Sequence, residues 1–287
     1  MNSYEDRLLR VIAYIQADPA GDMSLDRLAD VAALSRFHFA RVFRAVTGRT
    51  VSETVRRIRM GRAAVALCYS SRPIAEIAAS VGYSDVTSFT RAFAETCGLP
   101  PGAFREKGQY RPEYVTLRTG EPDMTHTETP TNPDPAPVSI REMDSRRLAA
   151  LEHVGPYSET GEVLTELGTL LAARGLMQKA GAMVCLYHDD PDNVPAEKLR
   201  MHAGYELPEG EVAPPLEEIV LPAGRYAVMR HTGPYSSLHL AYRAFFGVWL
   251  PQSGVEPGDS PCFETYLNDP ADTPPDQLVT EIWMPLK

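Results

Sequence analysis

The spacing of apolar residues changes character near the middle of the chain. In the first part they recur every three or four positions, the period of a helix with one buried face. Tyr4, Leu8, Val11, Ile12 and Ile15 form such a series behind Ser3 and Asp6, a pair suited to capping. Ser24 is placed to cap a short helix burying Leu25, Leu28 and Ala29, and Ser35 a second one burying Phe39, Val42 and Phe43. Val51–Leu67 reads as one longer helix, with Arg56, Arg57, Arg59 and Arg62 on a solvated side. A second helix pair follows, opened by Pro73, turned at Gly82 and capped again at Ser84. In the last part short alternating segments predict strands around two helical stretches. Each copy there reads strand, helix, strand, strand: Val138–Ile140 turning into Leu148–Val154, a helix from Pro156-Tyr157 to Gly175, then Ala182–His188 and Leu199–Glu206. The second copy gives Ile219–His231 around a Pro222-Ala223-Gly224 turn, a helix to about Trp249, then Cys262–Leu267 and Leu278–Pro285.

Between these regions Arg111–Pro137 holds Pro112, Pro122, Pro130, Pro133, Pro135 and Pro137 and little apolar periodicity, the pattern of a semi-extended linker. The predicted organisation is therefore multidomain. An all-α domain (1–111) precedes a linker (112–137) and an α+β domain (138–287) built of two repeats, 138–208 and 216–287. Internal repetition supports both halves. Phe39/Phe89, Arg41/Arg91, Phe43/Phe93 and Gly48/Gly98 match at an offset of 50. His153-Val154-Gly155-Pro156-Tyr157 returns as His231-Thr232-Gly233-Pro234-Tyr235, 78 positions on, and Tyr187 returns as Tyr266, 79 positions on.

Charge sharpens the division. The net charge of −10 hides 16 basic against 11 acidic residues in 1–111, and 12 against 27 in the remainder. A positive half suits a polyanion; an acidic half suits cations and is repelled by DNA. Apolar residues at 44% and charged ones at 23% exclude wholesale disorder. No apolar run is of membrane-spanning length and no secretory signal opens the chain, so no membrane association is expected. Cys68, Cys97, Cys185 and Cys262 lack paired spacing, which reads as reduced, and the expected location is cytoplasmic and nucleoid-associated.

The all-α half has the order of two helix-turn-helix units, whose second helices present an outer face to the DNA major groove. Ile74-x-x-Ile77-Ala78-x-x-Val81-Gly82-Tyr83-Ser84, then Phe89-x-Arg91-x-Phe93, then Gly98-x-Pro100-Pro101-x-x-Phe104-Arg105 resembles the AraC/XylS-type DNA-binding domain. The resemblance spans Leu8–Arg105 and implies two recognition helices entering adjacent major grooves of double-stranded DNA. The exposed candidates are Arg36, Phe37, His38, Ala40 and Arg41 on the first and Val86, Thr87, Thr90 and Arg91 on the second. Arg41 and Arg91 serve either guanine readout or phosphate contact, and Phe37 either a thymine methyl or the domain surface.

In the second half, alternation puts Cys262, Glu264 and Tyr266 on one face of their strand and Phe263, Thr265 and Leu267 on the other. A glutamate in such a strand is costly to bury without a partner, and a carboxylate beside aromatics is a way to hold an organic cation. Glu281 and Trp283 repeat the pairing on the last strand. The alternative is that either acid points to solvent or pairs with Arg225, Arg230 or Arg243. The equivalents of the two acids in the first copy are Cys185 and His202. The repeated His-x-Gly-Pro-Tyr motif with Phe263–Pro270 and Glu281–Pro285 resembles the GyrI-like effector-binding domain, and the domain order is similar to that of Rob-like regulators. This resemblance implies a pseudo-twofold domain whose groove takes amphipathic, cationic small molecules. Tyr157 and Tyr235 either line that groove or are structural. Some members of the family hydrolyse strained-ring toxins, for which Glu264, Tyr266 and Trp249 would be the candidates here. Fusion to a DNA reader favours sensing, so a transcription regulator rather than an enzyme is expected, with RNA polymerase a candidate partner. Neither cofactor nor metal is expected: His188-Asp189-Asp190 reads as a strand-ending turn. A drug-sequestering protein and a low-specificity nucleoid binder are the competing readings.

Overall fold

The computed structural model describes residues 4–107, 137–191, 193–270 and 272–287; the proposed linker up to residue 136, and Ser3, lie outside these. Residues 4–34 and 47–107 form one unit, and 35–46 together with 137–287 form the other. The first part of the chain holds seven helices among its described residues: α1 (Tyr4–Ala17), α2 (Leu25–Ala32), α3 (Arg36–Thr47), α4 (Val51–Tyr69), α5 (Ile74–Ser80), α6 (Val86–Cys97) and α7 (Pro101–Lys107). All but one residue of α3 is grouped with the second unit, a division that the apolar periodicity does not announce.

In the first unit local chemistry fixes the helix ends. The Ser24 hydroxyl accepts from the Arg27 amide at 3.3 Å, and Thr50 and Glu53 form a reciprocal capping box at the start of α4. The cap of α6 is Asp85, not Ser84. Its carboxylate accepts from the Thr87 and Ser88 amides at 3.2 and 2.7 Å, and a negative charge is the better acceptor at a helix N-terminus. Met60, Ala63, Ala64 and Leu67 of α4 meet Ile77 and Ala78 of α5, Phe89, Phe93 and Cys97 of α6, and Phe104 of α7 in one buried cluster. Phe93 and Phe104 pack edge to face at 5.2 Å, adding to the area they bury. The arginines of α4 are not simply a solvated face. Arg59 donates to the Pro19 carbonyl at 2.8 Å and Arg62 to the Gln16 carbonyl, tying α4 to the end of α1.

The second unit contains one antiparallel sheet of eight strands, in the order β1-β6-β8-β7-β3-β4-β2-β5. These are β1 (Val138–Met143), β2 (Arg146–Val154), β3 (Met183–Tyr187), β4 (Arg200–Glu206), β5 (Glu217–Leu221), β6 (Gly224–Thr232), β7 (Phe263–Tyr266) and β8 (Val279–Pro285). The order mirrors itself about the β7–β3 pair, as a duplication requires. The two repeats exchange their first strands: β1 pairs with β6 and β5 with β2, so turn-linked β1 and β2 are not a hairpin, nor are β5 and β6. Each repeat thus adds a donated strand to the predicted strand–helix–strand–strand unit, and neither repeat's sheet is complete alone.

The helix α8 (Thr160–Ala173) follows a short 3-10 turn at Tyr157–Glu159, and the chain leaves it at Gly175, with φ +67°. Val163, Leu167 and Leu171 of α8 pack on Ala149, Leu151, Met201 and Ala203. Its counterpart in the second repeat is irregular: α9 (Leu238–Arg243) runs into a π-helical stretch, Ala244–Trp249, and then α10 (Leu250–Ser253). Inserted π turns are frequent where a helix is shaped for a site.

Two glycines of the first unit separate backbone strain from crowding. Gly98 has φ +76° with open space around its missing Cβ, whereas Gly82, at φ +83°, would place a Cβ 3.1 Å from the Ala20 Cα and 2.7 Å from Arg59 Nη2. Gly98→Ala is expected to cost about 1–2 kcal/mol, the left-handed strain alone. Gly82→Ala costs more by whatever the Ala20 contact demands. Paired urea unfolding curves measure this, and equal losses would show that the loop before α2 yields freely.

Candidate functional site

The second unit encloses a cavity of about 1060 Å³ on the face of the sheet that α8 and α9 cover. Strand register decides what enters it. On the β3–β7 pair at the mirror centre, Cys185 lies opposite Glu264 and Met183 opposite Tyr266, so these four share a face. On the β7–β8 pair, Phe263 lies opposite Trp283 and Thr265 opposite Glu281. Because neighbours across a ladder share a face, Glu281 and Trp283 point away from Glu264, to the opposite side of the sheet.

Glu264 is 4% exposed, and both its oxygens are engaged. Tyr242 donates to Oε1 at 2.9 Å and Tyr266 to Oε2 at 2.7 Å. Since the Tyr266 proton goes to the carboxylate, the Tyr187 hydroxyl, 3.0 Å from that of Tyr266, must donate to it. The result is a directed chain, Tyr187 to Tyr266 to Glu264. Burial holds Tyr187, Tyr242 and Tyr266 well above the ordinary phenol value, so all three stay protonated donors. Burial also raises the Glu264 carboxyl, against the lowering effect of the two phenols and of the Arg41 charge. Edge-to-face pairs wall the cavity symmetrically: Tyr157 on Tyr187 at 4.8 Å and Tyr235 on Tyr266 at 5.3 Å. The Tyr157 hydroxyl donates to the carbonyl of Asp189 or of Arg200 (2.9 and 3.0 Å) and accepts from the Asp189 amide, so it also locks the strand ends.

Two basic side chains of α3, Arg41 and Arg44, line the same cavity. The Arg41 guanidinium stands 5.3 Å from the Tyr242 ring centroid and 6.0 Å from that of Phe246, and Nη2 donates to the Tyr187 carbonyl at 3.4 Å. Next to it His38 is fully buried, stacked on Phe246 at 6.0 Å with its Nδ1 3.8 Å from Cys262 Sγ. Burial, and then the Arg41 charge, push its pKa down to about 3, so the ring is neutral.

Of the residues expected at a ligand site, Tyr157, Tyr235, Glu264 and Tyr266 line the cavity. Trp249, Glu281 and Trp283 do not. Trp249 packs on Phe245 at 5.4 Å. Glu281 is held by Arg141 and Arg230 at 3.1 and 3.0 Å, the ion-pair alternative. Trp283 stacks on Phe263 at 5.6 Å beneath Arg146. The counterpart of Glu281 in the first repeat, His202, contacts His188 Nε2 at 2.7 Å and Glu217 at 3.5 Å. Tyr242 and Phe246 escaped the sequence reading. Their four-residue spacing behind Leu238 was the available signal, obscured because the π stretch changes the helical phase.

The DNA-reading candidates separate in the same way. On α6, Val86, Thr87 and Arg91 are exposed and Thr90 half-buried. On α3, Arg36 is exposed and Phe37 and Arg41 are half-buried, but His38 and Ala40 are 0% and 1% exposed, contrary to the outward positions expected of them. The Ser35 hydroxyl is buried without a partner and does not cap α3; only its carbonyl starts the helix, accepting from the Phe39 amide at 2.9 Å.

A family model, GyrI-like small molecule binding domain, matches residues 136–287, more than half of the chain. The chain belongs to the GyrI-like family. A helix-turn-helix domain model, of AraC type, matches residues 28–107. The GyrI-like half is 34% identical over 142 residues to the DNA gyrase inhibitor of Erwinia billingiae, 46% of this chain and 86% of that protein. The transcriptional regulator Rob of Salmonella typhimurium is 34% identical over 101 residues, covering 34% of this chain and 35% of its own length. Right origin-binding protein of Escherichia coli is 30% identical over 137 residues, covering 47% and 46%. Among solved structures, the EcmrR C-terminal domain superposes with a TM-score of 0.46 at 20% identity, over 53% of this chain and 98% of that one. Neither matched family description names a catalysed reaction.

Tyr242→Phe removes one of two donors to the charged form of Glu264. The Glu264 carboxyl is expected to titrate still higher than in the parent, read by carboxyl carbon shifts in glutamate-labelled protein. An unmoved titration would mean that water replaces the lost phenol.

Proposed function

We propose that this chain is a DNA-binding transcription regulator whose GyrI-like half binds an amphipathic cationic small molecule between the tyrosine walls and Glu264. Glu264 carries the reading. A carboxylate is retained, itself buried, in an aromatic-walled cavity large enough for a drug-sized molecule, where an apolar residue would be easier to bury. Tyrosine faces attract cations and exclude anions, and the carboxylate supplies the counter-charge. Both Glu264 oxygens already accept phenol protons, which suits a fixed counter-ion better than a general base, so the groove binds its ligand without turning it over. The exposed side of α6, with Val86, Thr87 and Arg91, supplies sequence readout in the major groove. RNA polymerase is the downstream partner in such a role.

Selection from a random duplex library at fixed salt tests the DNA half. Arg91→Ala is expected to lose discrimination at one or two base positions, about 1–3 kcal/mol. A uniform loss with a shallower salt dependence would assign Arg91 to phosphate instead.

Calorimetry with tetraphenylphosphonium, a permanently charged aromatic cation, tests the groove. Because burial raises the Glu264 carboxyl, affinity should climb as pH rises above the ordinary carboxylate range and the carboxylate ionises. Glu264→Gln should bind at least tenfold more weakly at the upper end, with the slope flattened. An unchanged affinity in that variant would sink the counter-ion role.

The match to a relative that is covered over 86% of its length by less than half of this chain favours a second reading, in which the groove works without the DNA reader and sequesters a toxic molecule. On that reading Arg91→Ala leaves protection of cells intact.

A further inference from the structure

We propose that helix α3 is the groove's own occupant, Arg41 taking the seat of the cationic ligand, so that ligand binding and α3 docking exclude each other. The inference rests on the cation-binding reading of the groove and adds a competitor to it. Arg41 lines the same cavity as Glu264, with its guanidinium over the two aromatic rings Tyr242 and Phe246, the arrangement an organic cation would adopt. Its Nη1 is buried without a hydrogen-bond partner, so the seat holds the arginine by charge, ring contact and the one long bond from Nη2 to the Tyr187 carbonyl, and leaves a donor unmatched, an occupant that a better-fitting cation can displace.

The remainder of α3 is fitted to the same place. His38 stacks on Phe246, and Ala45 meets Gly247 so closely that a Cβ on Gly247 would lie 2.9 Å from both the Ala45 carbonyl oxygen and the Ala45 Cβ. Gly247 lies in the π-helical stretch, where a side chain would push α3 away. The positions that turn inward here, 38, 41 and 45, form one face of α3, and it includes two of the five positions expected to meet DNA. One helix face cannot lie in a protein groove and in the major groove at once. A cation that binds the groove therefore releases α3 for DNA, and DNA that captures α3 empties the groove for the cation; linkage makes the two effects equal.

Gly247→Ala separates the competitor from the site. It improves helix propensity, leaves Glu264 and the tyrosines in place, and must displace α3. In the full chain, calorimetry should show this variant binding tetraphenylphosphonium about five- to tenfold more tightly than the parent, because the tax of displacing α3 is gone. Hydrogen exchange at residues 38–46 should speed up in the variant, and in the parent on saturation with the cation, while residues 86–97 and the sheet strands keep their protection. Equal affinities in parent and variant, with α3 exchange indifferent to the cation, would overturn the proposal. If Glu264→Gln still loses affinity in that case, the groove remains a cation site without a competitor. If Glu264→Gln binds as the parent does, the cation reading fails, and the competition with it.

Discussion

A carboxylate shut inside a protein must be matched by donors and nearby positive charge, or it gives up its own charge. Glu264 is under that constraint, and much of the second unit can be read as the response. Two phenols are spent on its two oxygens, a third is ordered behind them, and an arginine stands close enough to favour ionisation. Those phenols come from β7, β3 and α9, so satisfying one side chain fixes the relation between the two repeats and a helix. Left ionised with fewer partners, the group would be a liability of several kcal/mol; as it stands, each of its oxygens has a donor.

The duplication explains how such a charge came to lie at the centre of a sheet. Across the β3–β7 pair a twofold arrangement would place like residues face to face, and two carboxylates at that distance would repel. The mirror is broken at this point: Cys185 stands opposite Glu264, small and neutral. The outer pair is broken too, with His202 against Glu281, and each has recruited its own partners. The exchanged first strands bind the repeats together, since β1 and β5 each complete the sheet of the other. Chemistry at the centre is therefore asymmetric on a symmetric frame: Glu264 is the one acid buried on the β3–β7 pair, while Asp190 and Asp269 line the groove from the two repeats.

Much of this was legible in the residues. The offset matches at 50, 78 and 79 fixed the repeats, the alternation of Glu264 with Tyr266 placed both on one face, and the glycine at 175 marked a real helix end. What was not legible depended on pairing. Alternation says that Glu281 and Trp283 share a face, but only the register, with Trp283 opposite Phe263, says that it is the face away from the cavity. A strand exchange leaves no local mark, because a turn between two strands looks the same whether or not they pair. Local competition hid the α6 cap, where Ser84 and Asp85 are adjacent and the charged one wins. The arginines of α4 look solvated along a helical wheel and are in part ties to distant carbonyls, a long-range fact.

The case of α3 is different in kind, since its sequence is consistent with two surroundings. Phe39, Val42 and Phe43 give it a buried face in any helix-turn-helix unit, while Phe37, His38 and Arg41 form a face suited both to bases and to an aromatic, acidic groove. Arginine serves in either place for the same reasons: a planar, permanent cation that stacks on rings and donates to carbonyls or guanine edges. Histidine and alanine beside it are small enough to pack and polar enough, or neutral enough, to be exposed. A surface selected to read DNA is thereby close to being a ligand for a cation-binding groove, and little change is needed to make it one. Joining a basic reader to an acidic aromatic pocket in one chain creates that affinity by its composition, and the fit of Gly247 against Ala45 gives it a defined geometry.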